Sequence, residues 1–230
     1  MESLPLYISI IFALTTFLTT YFFAKATRQP MLVAGIICGW LVVQGFVSIK
    51  GFYLVTNTIP PRLALAVLPA LFTIILFFVF KTGRQWIDVA KPATLTLLHV
   101  IRVPVELVLL WLYLYKQVPQ LMTFEGRNFD ILSGITAPFV YYFGYVKKKL
   151  TKPVLLCWNI ACLLLLFNIV VNAVLSAPFP FQQFAFDQPN IAVLYFPFIW
   201  LPSCVVPLVL FSHLICIRQL LKSGAAGNTP

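Results

Sequence analysis

The stretch "PATLTLLHVIRVPVELVLLWLYLY", residues 92–115, decides the fold. About 20 mostly apolar residues span a hydrocarbon core ~30 Å thick, at ~1.5 Å rise per helical residue. This run is long enough to do so. It is interrupted only by three ionisable side chains, His99, Arg102 and Glu106. At ~100° per residue, they fall within roughly 60° of one another, on a single stripe. Arg102 lies ten residues from the start of the run, hence ~15 Å deep and near the midplane of the core. Charged groups at that depth are costly and rarely face lipid, so the stripe is expected to face the interior of a helical bundle. Glu106, one turn beyond Arg102, is its expected partner. Pro104, between them, removes a backbone donor and is expected to kink the helix.

Working outward from this run, six others of similar character appear. The seven lie near residues 4–23, 31–54, 63–80, 92–115, 129–146, 153–175 and 191–217, with short polar or Pro-containing connectors. The chain of 230 residues is 61% hydrophobic and 10% charged, against about 25% charged in soluble domains. Its mean hydropathy is +0.95. The fold class is therefore all-α: a polytopic integral membrane protein with seven transmembrane helices. Residues 1–222 form one seven-helix domain and residues 223–230 a short polar tail. Glu2 precedes the first run without a basic n-region or small-residue cleavage site, so that run reads as a retained helix.

Basic residues set the expected orientation, because they stay on the cytoplasmic side. Lys25, Arg28, Lys81, Arg84, Lys91, Lys147, Lys148, Lys149, Lys152, Arg218 and Lys222 share one set of ends; Lys50, Arg62, Lys116 and Arg127 share the other. The N-terminus is expected outside and the C-terminus in the cytoplasm. Glu2, Glu125, Asp130 and Asp187 offset the outer cations, so the net charge of +10 concentrates on the cytoplasmic face. A basic face of that kind attracts anionic lipid. It does not imply nucleic acid, since no folded basic domain is left to hold a duplex. The expected location is a plasma or bacterial inner membrane.

Two other regions supply candidate ligand-binding residues. "LLCWNIACLLLLFNIVVNAVL", residues 155–175, carries Asn168 and Asn172 on one face; buried Asn can also serve as interhelical glue. "TFEGRNFDILSG", residues 123–134, crowds Glu125, Arg127, Asn128 and Asp130 beside Gly126. Asn128 or Asp130 can cap the following helix, and the remaining polar groups suggest a binding mouth. With His99, Arg102 and Glu106, these residues outline a polar cavity entered from outside, with Arg102 as its floor for an anionic or hydrogen-bonding group. The Phe- and Pro-rich loop 177–198 reads as interfacial aromatic anchors, or as a lid dipping into the bundle. Pro197, Pro202 and Pro207 predict a broken or strongly kinked last helix.

Other chemistries find little support. Cys38, Cys157, Cys162, Cys204 and Cys216 all sit in apolar runs without CxxC or CxxH spacing, and read as small hydrophobes. Two histidines, His99 and His213, are too few for a multi-His metal site, so no metal is assigned, and the cofactor is unknown. No GxSxG, HExxH or Gly-rich phosphate loop occurs. "LPALFTIILFF" (68–78) and "LPSCVVPLVLF" (201–211) share only a Leu-Pro start and an apolar body, a weak sign of internal repetition. The expected function is a membrane-embedded binding protein or carrier for a small-molecule or lipid ligand. The alternatives are an intramembrane enzyme acting on a lipid or isoprenoid, with Glu106 or Asp130 as general acid or base, and a seven-helix receptor or accessory subunit.

Overall fold

A computed structural model describes residues 4–225, with side chains to Lys222. Glu2 and residues 226–230 of the polar tail lie outside the described residues, while residues 223–225 continue the last helix. Every regular element among the described residues is helical: α1 (Leu6–Ala26), α2 (Pro30–Ile49), α3 (Ala64–Val79), α4 (Lys81–Asp88), α5 (Pro92–Leu98), α6 (Arg102–Leu114), α7 (Ile131–Val140), α8 (Lys152–Leu175) and α9 (Val206–Ala225), with short 3-10 and π turns between. Five spans are long and apolar enough to cross a membrane: Leu6–Ala26, Pro30–Ile49, Pro92–Leu114, Lys152–Leu175 and Leu201–Lys222. A sixth results if α3 and α4, bent by 92°, count as one, and Ile131–Val146 is a shorter apolar helix. The chain is a helical membrane protein.

Exposure follows the solvent the helices meet. α2 buries only Leu41, Gln44, Gly45 and Ser48, while Met31, Ile36, Val42 and Phe46 are exposed. In water such a face would be a liability; in hydrocarbon it costs nothing. α1 instead buries four threonines, Thr15, Thr16, Thr19 and Thr20, each donating its hydroxyl to the carbonyl four residues earlier. That bond satisfies each of these four hydroxyls within the bundle.

The two ends of the bundle differ. At the basic end, Asp88 accepts from Arg218 Nε at 2.9 Å and from Lys222 Nζ at 2.7 Å, and Lys91 N–H donates to Ala26 O. These contacts pin α4 under α9 and α5 beside α1. The Arg218 hydrogen bond, with help from Lys222, holds the Asp88 carboxyl below the usual carboxylate range. The clamp is therefore intact at neutral pH and is lost only as pH falls through that lowered value.

At the opposite, loop end, two long connectors fold back into the bundle. Gln188 donates to Tyr113 O and Val118 O, and Ile191 N–H donates to Gln117 O. Val193, Leu194, Phe198 and Ile199 are buried, whereas Phe181, Phe186 and Phe196 are exposed. The 177–198 loop thus splits its duties: Phe181, Phe186 and Phe196 face outward, while Phe179, Ala192, Val193, Leu194 and Phe198 pack into the bundle. Sequence alone reads 191–217 as one broken helix. Here it is a 3-10 turn (Ala192–Leu194), a π turn (Leu201–Val205) and then α9. Pro197, Pro202 and Pro207 each lack an amide donor, which prevents a continuous ladder. Two tryptophans tie the irregular stretch to α2: Trp40 Nε1 donates to Ser203 O and Trp200 Nε1 to Leu41 O, each at 2.9 Å.

Candidate functional site

Two structural choices bring the polar residues together. The first is a break in the α5–α6 span, where His99–Ile101 forms a 3-10 turn. The second is the early start of α7: the connector after α6 descends into the bundle, burying Val118, Met122, Thr123, Asn128 and Asp130. Gly126 permits that descent, since a Cβ there would collide with the Gln120 carbonyl. Gly134 lets α7 press against the Arg102 backbone, where a Cβ would meet Val103 N and Cγ2 at 2.9 Å and Arg102 Cβ at 3.2 Å.

Arg102 is 2% exposed and sits at the centre. Its Nη1 donates to Asp130 Oδ1 at 2.7 Å and to Cys162 O at 3.3 Å, and its Nη2 lies 3.0 Å from His213 Nε2. A guanidinium can only donate, so His213 Nε2 is the acceptor and its proton resides on Nδ1. That nitrogen is 3.0 Å from Asn159 Oδ1, which accepts, and Asn159 Nδ2 in turn donates to Leu155 O. His99 stacks on His213, centroids 3.8 Å apart and planes 11° from parallel. His99 is fully buried and neither ring nitrogen has a hydrogen-bond partner.

Glu106 is not the partner of Arg102. A helical side chain leans toward the N-terminus of its helix, which carries the guanidinium away from residue 106 and toward His213. Asp130, on a separate helix, takes the ion pair. Glu106 Oε1 instead accepts from Asn128 Nδ2 at 2.5 Å, while Oε2 is buried without a partner. Asn128 is the joint between the two carboxylates, since its Oδ1 accepts from Asp130 N–H and its Nδ2 also donates to Met122 O.

The other residues singled out from sequence separate. Glu125 and Arg127 are exposed and outside this network. Asn168 is exposed and donates to Arg127 O; buried Asn172 donates to Asn168 O and Oδ1. Asn168 fastens the descending connector to α8 and Asn172 braces it from within the same helix; neither lines a cavity. Conversely, His213 and Asn159 belong to the network although sequence reading left them out. Their signal was depth: each lies within about ten residues of the basic end of its span, level with the break at His99.

A cavity of about 140 Å³ adjoins the network. Its walls are apolar, from Val105 and Leu109 on one side to Leu166 and Ile169 on another, and its polar wall is Glu106, Asp130 and Asn190. Arg102 is not among its walls, so an incoming group meets carboxylates, not the guanidinium. The lining residues contributed by the loops, Met122, Ala177, Asn190 and Val193, are all buried and roof it over. Its partly or fully exposed lining residues lie on α3 (Leu63, Val67), on α8 (Val170, Ala173, Val174) and around the π turn. α3 packs on α4 and the π turn, and α8 on α9, leaving a cleft between α3 and α8. Among the described residues no cluster of His, Cys, Asp and Glu could hold a metal ion.

No curated protein and no solved structure matches the chain. A family model does: residues 59–221, which contain every member of the network and the cavity, match Domain of unknown function (DUF8737), and the chain belongs to that family.

Proposed function

We propose that the chain is a seven-span membrane protein, N-terminus outside and C-terminus cytoplasmic, that binds or carries a small amphiphile entering from the bilayer between α3 and α8. The ligand has an apolar body and a head that is cationic or donates hydrogen bonds. One observation carries this reading: Glu106, buried in the small polar wall of a mostly apolar cavity, has a carboxylate oxygen without a partner. A buried acceptor left unmade costs ~1–3 kcal/mol, which a donor on the ligand would recover. Size is consistent. Apolar cavities of ~150 Å³ hold a molecule the size of benzene, so about 140 Å³ takes a head group and a few carbons, with the remaining chain lying in the cleft.

The test is binding of a spin-labelled alkylammonium to the chain in nanodiscs, against the alkyl alcohol of equal length. Glu106→Gln keeps an oxygen for Asn128 and replaces the free oxygen with an NH₂. It should weaken the alkylammonium about 10- to 100-fold, the value of a hydrogen bond to a charged group. Affinity within twofold of the parent would sink the proposal.

The seven-span orientation rests on the Lys/Arg asymmetry and on short connectors that alternate the helices. The shorter α7 span is accommodated because its N-terminal partner is the buried connector, not water. Reporter fusions at residues 86 and 150 should read as cytoplasmic and those at 120 and 184 as outside. The reverse pattern would overturn the orientation without touching the ligand site. A plasma or bacterial inner membrane, with anionic lipid against the basic face, fits that orientation.

A further inference from the structure

A second and larger concavity, about 410 Å³, lies on the other side of the π turn among α1, α2, α3 and α9. It is lined by aromatic and aliphatic side chains, with Phe23 and Val33 on one flank at its basic end and Phe77 and Trp86 on the other. Toward the middle of the bundle it is stopped by Trp40, whose indole is bonded to Ser203 O. Its length has a meaning. Trp40 is ten residues beyond Pro30, the first residue of α2, so the groove runs ~15 Å inward from the basic end. That is the depth of one leaflet, half of a ~30 Å core.

The mouth of the groove is positively charged. Arg28 on the α1–α2 connector and Lys81 at the α3–α4 corner stand at this end, and both are exposed; Lys25, in the last turn of α1, is turned away and donates to Tyr21 Oη at 3.0 Å. None is in an ion pair among the described residues. Arg84, beside them, is committed to Phe78 O and Val79 O. Asp88, the one acid described at this end, is already held by Arg218 and Lys222. α4 turns by 92° from α3 at this level, with Ile87 buried and Lys81 and Gln85 exposed, so it lies along the interface and floors the mouth.

We propose that this groove is a specific site for one acyl chain of an anionic phospholipid of the leaflet at the basic end, with its headgroup on Arg28 and Lys81. Apolar length and charge at the mouth together define the occupant; neither a neutral lipid nor a soluble anion satisfies both. The π turn and the start of α9 are the partition between this groove and the ligand cavity: Ser203, Cys204 and Pro207 face one and Leu201, Pro202 and Val206 the other. A seated lipid therefore braces one wall of the cavity.

Native mass spectrometry of the chain released from symmetric vesicles, equal parts phosphatidylglycerol and phosphatidylcholine, tests this. Symmetric vesicles make the result independent of which way the protein faces, so it stands or falls separately from the proposed orientation. The parent chain should retain one phosphatidylglycerol. Ala70→Phe, which fills the groove, should lose it. Arg28→Gln with Lys81→Gln touches no packed contact and should keep the thermal unfolding temperature while lowering the preference for phosphatidylglycerol about thirtyfold, at roughly fivefold per basic residue. Equal retention of the two lipids by the parent, undiminished retention by Ala70→Phe, or an unchanged preference in the charge variant would each overturn the site. So would a dimer that Ala70→Phe abolishes, since a second copy would then be the occupant.

Discussion

Replacing Asp130 by Ala should cost ~3–5 kcal/mol of stability, the loss seen when one partner of a buried ion pair is removed. The side chains of Arg102 and Asp130 are 3% and 7% exposed, and the contacts left to the guanidinium, Cys162 O and His213 Nε2, are neutral. Arg102→Leu should cost a similar amount, because it strands Asp130. The double variant Arg102→Leu with Asp130→Leu should recover most of the loss, since well-packed apolar residues substitute for buried ion pairs at little cost. Glu106→Ala should behave differently. Its partner is the neutral amide of Asn128, and removing it should neither destabilise by the same amount nor couple to Arg102→Leu. A double-mutant cycle on thermal unfolding in detergent separates the pairings. Coupling between 102 and 106 with none between 102 and 130 would contradict the structure.

Gly134→Val should damage the site from outside it. Even the Cβ of Ala would stand 2.9 Å from Val103 N, a backbone atom with no room to move. Overpacking of this kind costs ~1–3 kcal/mol, and Val adds two methyls to it. The displacement falls on α7, whose first turn adjoins Asp130, so the 2.7 Å ion pair to Arg102 lengthens with it. We expect Gly134→Val to lose more stability than the overpacking range alone and to weaken alkylammonium binding. Ile135→Ala, one residue on and 49% exposed, should do neither. Equal effects at 134 and 135 would mean that the close approach of α7 is unimportant.

The spans were legible because hydrocarbon imposes a minimum length on an apolar run. Residues 92–115 and 153–175 correspond to Pro92–Leu114 and Lys152–Leu175 almost to the residue. The partner of Arg102 was not legible. Asp130 is 28 residues away, and the contact depends on a connector that dives into the bundle through Gly126 and Asn128, a path no periodicity records. Nearness along a helix pointed to Glu106, while the lean of helical side chains decided otherwise. Asp130 also read as one of the outer acids that offset outer cations; buried against Arg102, it has no such role. The last run was readable as broken from its three prolines, though not that its first third would become a plug. Asn168 and Asn172 had the right depth and type for a cavity, but α8 turns Asn168 toward the connector backbone and Asn172 bonds to Asn168 instead.

The central claim is that the space beside Glu106 receives an amphiphile from the bilayer. A photoactivatable alkylammonium with its diazirine three carbons from the nitrogen, irradiated with the chain in nanodiscs and mapped by peptide mass spectrometry, tests this most directly. Entry beside Glu106 should give adducts on the segments carrying Val105 and Leu109 and on those carrying Ile169 and Ala173, competed by unlabelled alkylammonium and absent in Glu106→Gln. Adducts confined to lipid-facing α2, or undiminished in Glu106→Gln, would contradict it.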